Sequence, residues 1–299
     1  MEKTVTLRSP GGWVATIYHY GAHVTSYKSP NGTEHLFLSD TAIFAPPTAI
    51  RGGIPICFPQ FADMGPLQQQ HGFARNSMFT LVASTPTTAT LQLTDSEDTR
   101  RLGYPYNFTL LCHVDVSKDG ILEQSLVVRN TSNDSFSFTC ALHTYFRIQD
   151  ISTTYIRGLH NTRYLDSLQE RKEIVPDSLQ GPQALVTFGV GEVDRIYCGI
   201  ADDQTISVLT STNKNSTVTT TTGALEEDVV VSIQKKGFVD AVVWNPYIEK
   251  SKKMKDMEPE GYKRMLCVEM AVAGSGNIQL KPGDEWSGTQ TLVFSSSSL

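Results

Sequence analysis

The chain has 299 residues, of which 39% are hydrophobic and 19% charged, with a formal net charge of −6 at pH 7. This length is enough to bury a substantial core, and the acidic balance argues against nucleic acid or an anionic membrane surface as a partner. No apolar run approaches the roughly 20 residues that a membrane-spanning helix needs, so we expect no membrane partner.

Strand patterns dominate the first half of the chain. Alternation at 13–18 and 23–27 predicts a hairpin, and an Asn-Gly turn then leads to a further strand at 34–39. After a long loop, the same pattern predicts strands at 79–83, 90–94, 108–116 and 121–130. Residues 136–143 alternate cleanly and predict one continuous strand with apolar side chains at its even positions.

The second half continues in the same style, with strands predicted at 205–209, 216–222, 228–233, 241–244, 265–270 and 289–294. Many Thr, Val, Ile, Phe and Tyr residues at short spacing, with little helical pattern, indicate an all-β protein. No linker or repeat divides the chain, so we expect a single domain over 1–299, built as a large antiparallel sandwich. The exception is the basic segment 250–256, for which we expect a short helix or lid with a solvated face.

The five cysteines are widely spaced and form no Cys-x-x-Cys pair. Buried free thiols in a reducing compartment are the simplest explanation, and no zinc site is expected. The chain starts directly in a strand pattern without a signal peptide, so we expect a cytoplasmic protein. The final Ser297-Ser298-Leu299 resembles a microbody address but lacks its central basic residue.

A stretch rich in Gly and Pro, 51–75, interrupts the strand pattern. It is also apolar, which predicts a shaped loop that packs onto the domain. Arg51 and Arg75 stand at its ends, where two guanidinium groups could hold a phosphate or carboxylate, although a pair of surface salt bridges would explain them equally. With Gln70 and His71 between them, the loop is a candidate surface for a polar, anionic ligand.

Three further residues could carry acid–base chemistry. His143 falls on the polar face of its predicted strand and could transfer protons near neutral pH, or be an ordinary surface histidine. Glu269 lies in a strongly apolar strand, where desolvation would raise its pKa unless that face is exposed to solvent. Asp194 could bind a ligand or simply cap a turn. No phosphate loop, dinucleotide fingerprint, HExxH or GxSxG motif is present.

Six blocks of residues occur in an order that is similar to a known family. They are Arg-Gly-Gly-Ile-Pro at 51–55, Gln-His-Gly-Phe-Ala-Arg at 70–75, Ala-Leu-His-Thr-Tyr-Phe at 141–146, Val-Asp-Arg-Ile-Tyr at 193–197, Val-Trp-Asn-Pro at 243–246 and Met-Leu-Cys-Val-Glu at 265–269. Together they resemble the glucose-6-phosphate 1-epimerases (hexose-6-phosphate mutarotases) of the aldose 1-epimerase superfamily, over nearly the whole chain. The resemblance implies a galactose-mutarotase-like β-supersandwich with the sugar in a cleft across one sheet.

The resemblance also implies a role for each candidate residue. His143 would protonate the ring oxygen, and Glu269 would take the proton from the anomeric hydroxyl, so that the ring opens and closes on the other face. The remaining candidates would bind the sugar hydroxyls (Gln70, His71 and Asp194) and the 6-phosphate (Arg51 and Arg75). No metal or organic cofactor is implied, because only protons move, and a monomer is expected.

Two other functions remain open at this point. The first is a mutarotase for free aldoses, which would have no use for a phosphate site. The second is a non-catalytic protein that binds sugar phosphates, against which the presence of both His143 and Glu269 counts.

Overall fold

The computed structural model describes residues 3–176, 185–211 and 227–295, and most of its regular structure is β-strand. Its strands, numbered in chain order, are β1 Thr4–Arg8, β2 Val14–Tyr18, β3 His23–Lys28, β4 Ile56–Cys57, β5 Thr80–Ser84, β6 Thr88–Thr94, β7 Phe108–Asp115, β8 Ile121–Asn130, β9 Phe136–Phe138, β10 Cys140–Leu142, β11 Tyr145–Arg147, β12 Thr154–Arg157, β13 Tyr164–Asp166, β14 Lys172–Ile174, β15 Val186–Thr187, β16 Val193–Cys198, β17 Ile206–Ser211, β18 Glu227–Lys236, β19 Asp240–Asn245, β20 Met265–Val272, β21 Ile278–Leu280 and β22 Glu285–Phe294. The α-helices are α1 Glu97–Arg101 and α2 Tyr247–Lys253. No helix in the described ranges is long and apolar enough to cross a membrane.

Two large antiparallel sheets carry most of these strands. The nine-stranded sheet has the order β15-β12-β17-β18-β22-β8-β7-β6-β5. The eight-stranded sheet has the order β14-β13-β16-β19-β20-β10-β4, and β11 also pairs with β20. Two small sheets, β1-β2-β3 and β21-β9, complete the architecture.

The two large sheets share one hydrophobic core. Alternate residues of β7 and β8 are buried, as period-two strands with one inward face require. Leu126 and Val128 of β8 belong to the same buried cluster as Leu266, Val268 and Met270 of β20. One face of β20 therefore packs toward the nine-stranded sheet.

Most predicted strands are confirmed within a few residues. The patterns at 108–116 and 121–130 correspond to β7 and β8, which pair directly, and those at 13–18 and 23–27 correspond to the hairpin β2-β3. The predicted strand at 216–222 and the tripeptide Ser297-Ser298-Leu299 lie outside the described residues.

The predicted strand at 34–39 is wrong. Its residues form isolated bridges to three different partners, because Glu34 pairs with Lys28, Leu36 with Phe146, and Leu38 with Gly52. A ladder needs consecutive residues on one neighbour, and this segment changes neighbour at every second residue.

The single strand predicted at 136–143 is also wrong, because the chain divides at Thr139. β9 pairs with β21, whereas β10 pairs with β4 and β20 in another sheet. The Thr139 hydroxyl accepts a hydrogen bond from the Phe61 amide at 2.7 Å, and the Thr139 amide donates to Pro59. The Gly/Pro-rich loop thus provides hydrogen-bond partners for the amide and the hydroxyl of Thr139, at the point where the chain passes from one sheet to the other.

The helix expected in the basic segment exists but is placed three residues earlier, at Tyr247–Lys253. The Asn245 side chain accepts a hydrogen bond from the Tyr247 amide at 3.0 Å, just before the helix. The chain then turns back through Asp256 and Met257 toward the eight-stranded sheet, where Met257 is buried beside Met265.

Candidate active site

The alternation of β20 separates its core face from its functional face. Leu266, Val268 and Met270 face the shared core. Cys267 and Glu269 therefore point to the opposite face of the sheet, because successive strand residues alternate. Glu269 is only 1% exposed, so a carboxylate is held almost without water.

His143 reaches this face through a break between two short strands. β10 pairs with β20 up to residue 142, opposite 270, and β11 resumes the pairing at 145, opposite 267. Both belong to one register, so His143 falls opposite Glu269. Thr144 points the other way, donating its hydroxyl to the Gln290 side chain of the nine-stranded sheet at 3.1 Å. This bond fixes which side of the strand faces the site.

The Gly/Pro-rich loop supports the same segment from the other side. The His143 amide donates to the carbonyl of Pro55, and the Tyr145 amide donates to that of Gly53, each at 2.9 Å. Gly53 has φ +60°, and a Cβ there would collide with the Val24 carbonyl and the His23 ring. A residue without a side chain is required for the loop to approach this closely.

A cavity of about 370 Å³ opens on this face of the eight-stranded sheet. Every residue predicted for the site lines it, namely Arg51, Gln70, His71, Arg75, His143, Asp194 and Glu269. The loop, the β10–β11 break, β16 and β20 therefore converge on one volume, although their residues are up to about 220 positions apart in sequence.

His143 and Glu269 form the buried centre of the cavity. Nδ1 of His143 lies 3.3 Å from Oε1 of Glu269, and the two side chains are 8% and 2% exposed. The approach lacks hydrogen-bond alignment, and Nδ1 of His143 and Oε2 of Glu269 are buried without a partner. The His143 ring stacks on the Tyr145 ring, with centroids 4.7 Å apart and an interplanar angle of 6°, and this contact holds the orientation of the imidazole.

Burial shifts the pKa values of this pair in opposite directions. The loss of water raises the pKa of Glu269 well above its ordinary value, and the nearby Asp194 raises it further. The same loss lowers the pKa of His143 well below its ordinary value, with contributions from His71 and Arg75. Both shifts favour uncharged side chains, a state in which the pair holds one proton between the carboxyl and the imidazole. A pair with one proton contains one acid and one base.

Positive charge gathers at the loop end of the cavity. Arg51 donates through Nε and Nη2 to Asp256 at 3.2 and 3.1 Å, and through Nη1 to the Tyr145 hydroxyl at 2.9 Å. Arg75 donates through Nη2 to the Gln70 carbonyl at 3.1 Å, while its Nε is buried without a partner. Arg75 thus keeps donors available for a ligand, whereas much of Arg51 is already committed.

A second cavity, of about 190 Å³, adjoins the first at this end. Arg51 and Arg75 line both cavities, and Asn76, Tyr145 and Asp256 help to line the smaller one. The two guanidinium groups therefore stand between a larger space beside the acid–base pair and a smaller space behind it.

His71 and Gln70 present polar groups from the same loop. Nδ1 of His71 accepts a hydrogen bond from the Ala62 amide at 3.2 Å, which leaves Nε2 of the neutral ring as the donor. Burial and the charges of Arg75 and Arg51 lower the pKa of His71 well below its ordinary value, so the ring is neutral. Gln70 is exposed and lines the cavity.

Asp194 is placed by β16, where it lies opposite Trp244 of β19, and Trp244 in turn lies opposite Cys267. Burial raises the pKa of Asp194, although a hydrogen bond from Ser167 and the charges of Lys250 and Arg171 oppose that rise. The carboxylate thus faces the acid–base pair from the next strands of the same sheet.

Several lining residues were missed by sequence reasoning. They are Phe61, Ala62, Asp63, Ser167, Arg171, Val242, Trp244, Lys250 and Met254. Trp244 lies within one of the six blocks, so a signal for it was present. Arg171, which pairs with Asp63, and Ser167 lie in a stretch that carries no motif. Lys250 belongs to the basic segment expected to be a solvated face, and its side chain is 51% exposed even though it borders the cavity.

The whole chain is similar to one protein family. A family model described as aldose 1-epimerase matches residues 3–293. A protein of Cenchrus ciliaris named "Putative glucose-6-phosphate 1-epimerase" is 39% identical over 303 aligned positions, covering 98% of this chain and 84% of that protein.

Solved structures agree with the architecture. A crystal structure titled as a "putative mutarotase" from Salmonella typhimurium has a TM-score of 0.78 at 28% identity, covering 97% of this chain and 89% of that one. A galactose mutarotase related enzyme from Lactobacillus acidophilus has a TM-score of 0.75 at 18% identity, covering 99% of this chain and 98% of that one. At that identity, the second likeness concerns the fold alone.

Proposed function

The chain belongs to the aldose 1-epimerase family, and we propose that it interconverts the α and β anomers of hexose 6-phosphates, glucose 6-phosphate first among them. The predicted fold, an all-β galactose-mutarotase-like antiparallel supersandwich, is confirmed by the solved relatives. The observation that carries the proposal is the buried His143–Glu269 pair, 3.3 Å apart, in a cavity with two arginines at one end.

The reaction needs one proton given and one proton taken at two oxygens of the same ring. In the form of the pair that carries its one proton on His143, the Glu269 carboxylate removes the proton from the anomeric hydroxyl while the His143 imidazolium protonates the ring oxygen. The C1–ring oxygen bond breaks and leaves an open-chain aldehyde. Rotation about C1–C2 presents the other face of the carbonyl, and closure returns both protons. The pair begins and ends with one proton, which is the number that burial favours.

Arg75 and Arg51 are proposed to bind the 6-phosphate in the smaller cavity. The unpartnered Nε of Arg75 and the remaining donors of both guanidinium groups suit a dianion, because charge-assisted bonds to phosphate are strong and can be bidentate. The adjoining positions of the two cavities support a sugar whose anomeric end lies at Glu269 and whose C6 end points to the arginines.

Asp194, Gln70 and the Nε2 donor of His71 are proposed to hold the sugar hydroxyls. Asp194 is half-buried on the cavity, and its carboxylate can accept hydrogen bonds from sugar hydroxyls. The free-aldose alternative is not favoured by Arg75, whose open donors would then face no anion.

We further propose one domain over 1–299, a monomer and a cytoplasmic location. The family model spans 3–293, and the two large sheets share one core cluster, which supports a single domain. All five cysteines are buried and free, as suits a reducing compartment.

The function is tested by two-dimensional exchange NMR on the anomeric protons. Glucose, mannose and galactose 6-phosphates are compared with the free sugars at equal enzyme concentration. We expect exchange cross-peaks to grow with enzyme for at least one 6-phosphate, and to remain weaker for its free sugar. Exchange at the uncatalysed rate for every sugar would reject the proposal, and equal rates for free and phosphorylated sugars would favour a free-aldose mutarotase.

A further inference from the structure

Cys267 lies directly beneath the acid–base pair, although it does not line the cavity. It is two residues before Glu269 on the same face of β20, and it is paired with Tyr145 on one side and Trp244 on the other. Its side chain is fully buried, and no step of the proposed reaction uses it.

The three side chains bring a nitrogen, a sulfur and an oxygen into one small space. Ligand atoms of His143, Cys267 and Glu269 all lie within 4.8 Å of one another. Zinc bonds of roughly 2.0–2.3 Å place tetrahedral ligands about 3.3–3.8 Å apart. The 3.3 Å between Nδ1 of His143 and Oε1 of Glu269 already matches such an edge. A shift of about 1 Å brings the widest separation into the same range.

We propose that these three side chains form an inhibitory site for a thiophilic divalent cation, with Zn²⁺ as the best match. Nδ1 of His143 and Oε2 of Glu269 are buried without hydrogen-bond partners, so a metal would satisfy groups that the protein leaves open. Thiolate and imidazole ligands select zinc over Mg²⁺ and Ca²⁺, which prefer oxygen.

Charge balance supports a cation at this depth. Binding releases the thiol proton of Cys267 and the proton shared by the pair to solvent. Zn²⁺ with one thiolate, one carboxylate and one neutral imidazole has no net charge, so the buried complex avoids the cost of an isolated ion. The negative charge of Asp194, on β16, also acts on Glu269 and opposes the effect of the positive charge of Arg75 there.

The metal would block catalysis because it takes the lone pairs that move the protons. His143 and Glu269 line the cavity, so the ion enters from that side and its fourth position faces the space of the sugar ring. Inhibition is therefore competitive with substrate. This effect rests on the proposed function, whereas binding of the metal does not.

Binding is tested on the whole chain without any activity measurement. Co²⁺ should give the visible spectrum of a tetrahedral site, and Cd²⁺ the ultraviolet thiolate-to-metal band, each at one equivalent. Cys267→Ala should remove the thiolate band and weaken binding by roughly tenfold or more. Cys57→Ala is the matched control, because its buried sulfur lies 3.2 Å from Nδ1 of His71 on the same cavity. A thiolate band that survives in Cys267→Ala and is lost in Cys57→Ala would overturn the assignment.

Inhibition is tested by anomer exchange with Zn²⁺ added in a metal-free buffer. We expect reversible inhibition that EDTA relieves, that Mg²⁺ does not reproduce, and that needs roughly tenfold more Zn²⁺ in Cys267→Ala. Cys267→Ser serves as a second variant should the alanine variant unfold. Equal sensitivity of native and Cys267-substituted proteins, or native exchange unaffected by Zn²⁺, would overturn the inhibitory role. Absent exchange in metal-free native protein would instead reject the proposed function, leaving the spectroscopic result to decide the metal site.

Discussion

Arg75→Ala is expected to separate recognition of phosphate from recognition of sugar. Arg75 has one donor on the Gln70 carbonyl and a buried Nε without a partner, so a bound phosphate would gain one or two charge-assisted bonds. Each such bond contributes about 1.5–3 kcal/mol, and about 1.4 kcal/mol corresponds to a tenfold change. The loss of each such bond should therefore lower kcat/KM for glucose 6-phosphate by roughly 10- to 100-fold.

Arg75 is a sharper probe than Arg51. Removing Arg51 would also leave Asp256 and the Tyr145 hydroxyl without their partner, so a loss of rate would mix recognition with stability. Arg75→Lys is the matched control, because it keeps the charge but loses the planar set of donors, and its loss should be intermediate.

The assay is exchange NMR with glucose 6-phosphate and with free glucose at high enzyme concentration. The exchange rate of free glucose should fall by less than about threefold, because free glucose makes no phosphate contact. Inhibition of exchange by inorganic phosphate should weaken in parallel with the loss for glucose 6-phosphate. Equal losses for both sugars, with unchanged inhibition by inorganic phosphate, would refute the placement of the phosphate at Arg75.

Three other outcomes are expected. Glu269→Gln should lower the exchange rate by about 10²–10⁴-fold while calorimetry still detects glucose 6-phosphate binding. It should also raise the Tm, because the buried carboxyl must either take up a proton or hold a charge without water, and the amide does neither. A lower Tm with lost binding would indicate a structural role. The acid limb of the kcat/KM profile should have its midpoint below pH 6.5, because burial lowers the pKa of His143 and the pair takes a second proton only under more acidic conditions. The profile is corrected for the substrate phosphate, which titrates at about pH 6. A midpoint at or above pH 6.5 would contradict the effect of burial. Gly72→Ala should lower the free energy of unfolding by about 2–3 kcal/mol, because φ is +68° and a Cβ would overlap the Phe58 carbonyl. The control in denaturant unfolding is Gly32→Ala, where φ is +89° but no atom lies near the added Cβ. This control should lower the free energy of unfolding by only about 1 kcal/mol.

The residues that line the site could be predicted from sequence more readily than the strands that carry them. A carboxylate in an apolar strand and a histidine on the polar face of an alternating pattern both stand out from their neighbours. Both Glu269 and His143 are buried and face each other. Their neighbours Ser167 and Arg171 come from 3-10 and loop segments, where no periodicity marks the face of a residue.

The incorrect strand predictions have one physical cause. Periodicity indicates that a segment is extended and half-buried, but it does not indicate which neighbour pairs with it. Residues 34–39 are extended yet change partner at each bridge. Residues 136–143 alternate cleanly yet leave one sheet for another at Thr139, whose hydroxyl accepts a hydrogen bond from the Phe61 amide. Pairing is decided by distant segments, which a local pattern does not contain.

The short gap between β10 and β11 keeps the acid–base pair in register with β20, because the Val268 amide donates to the Thr144 carbonyl at 3.3 Å across it. His143 and Glu269 are therefore a cross-strand pair on one face of the sheet. On the other edge of the segment, the His143 amide donates to the Pro55 carbonyl and continues the pairing of β10 with β4, while Thr144 is anchored to Gln290 behind the sheet. The two side chains keep their register while the surface above them stays open as a cavity. The Gly/Pro-rich loop therefore both supplies the arginines and pairs with the segment that carries His143.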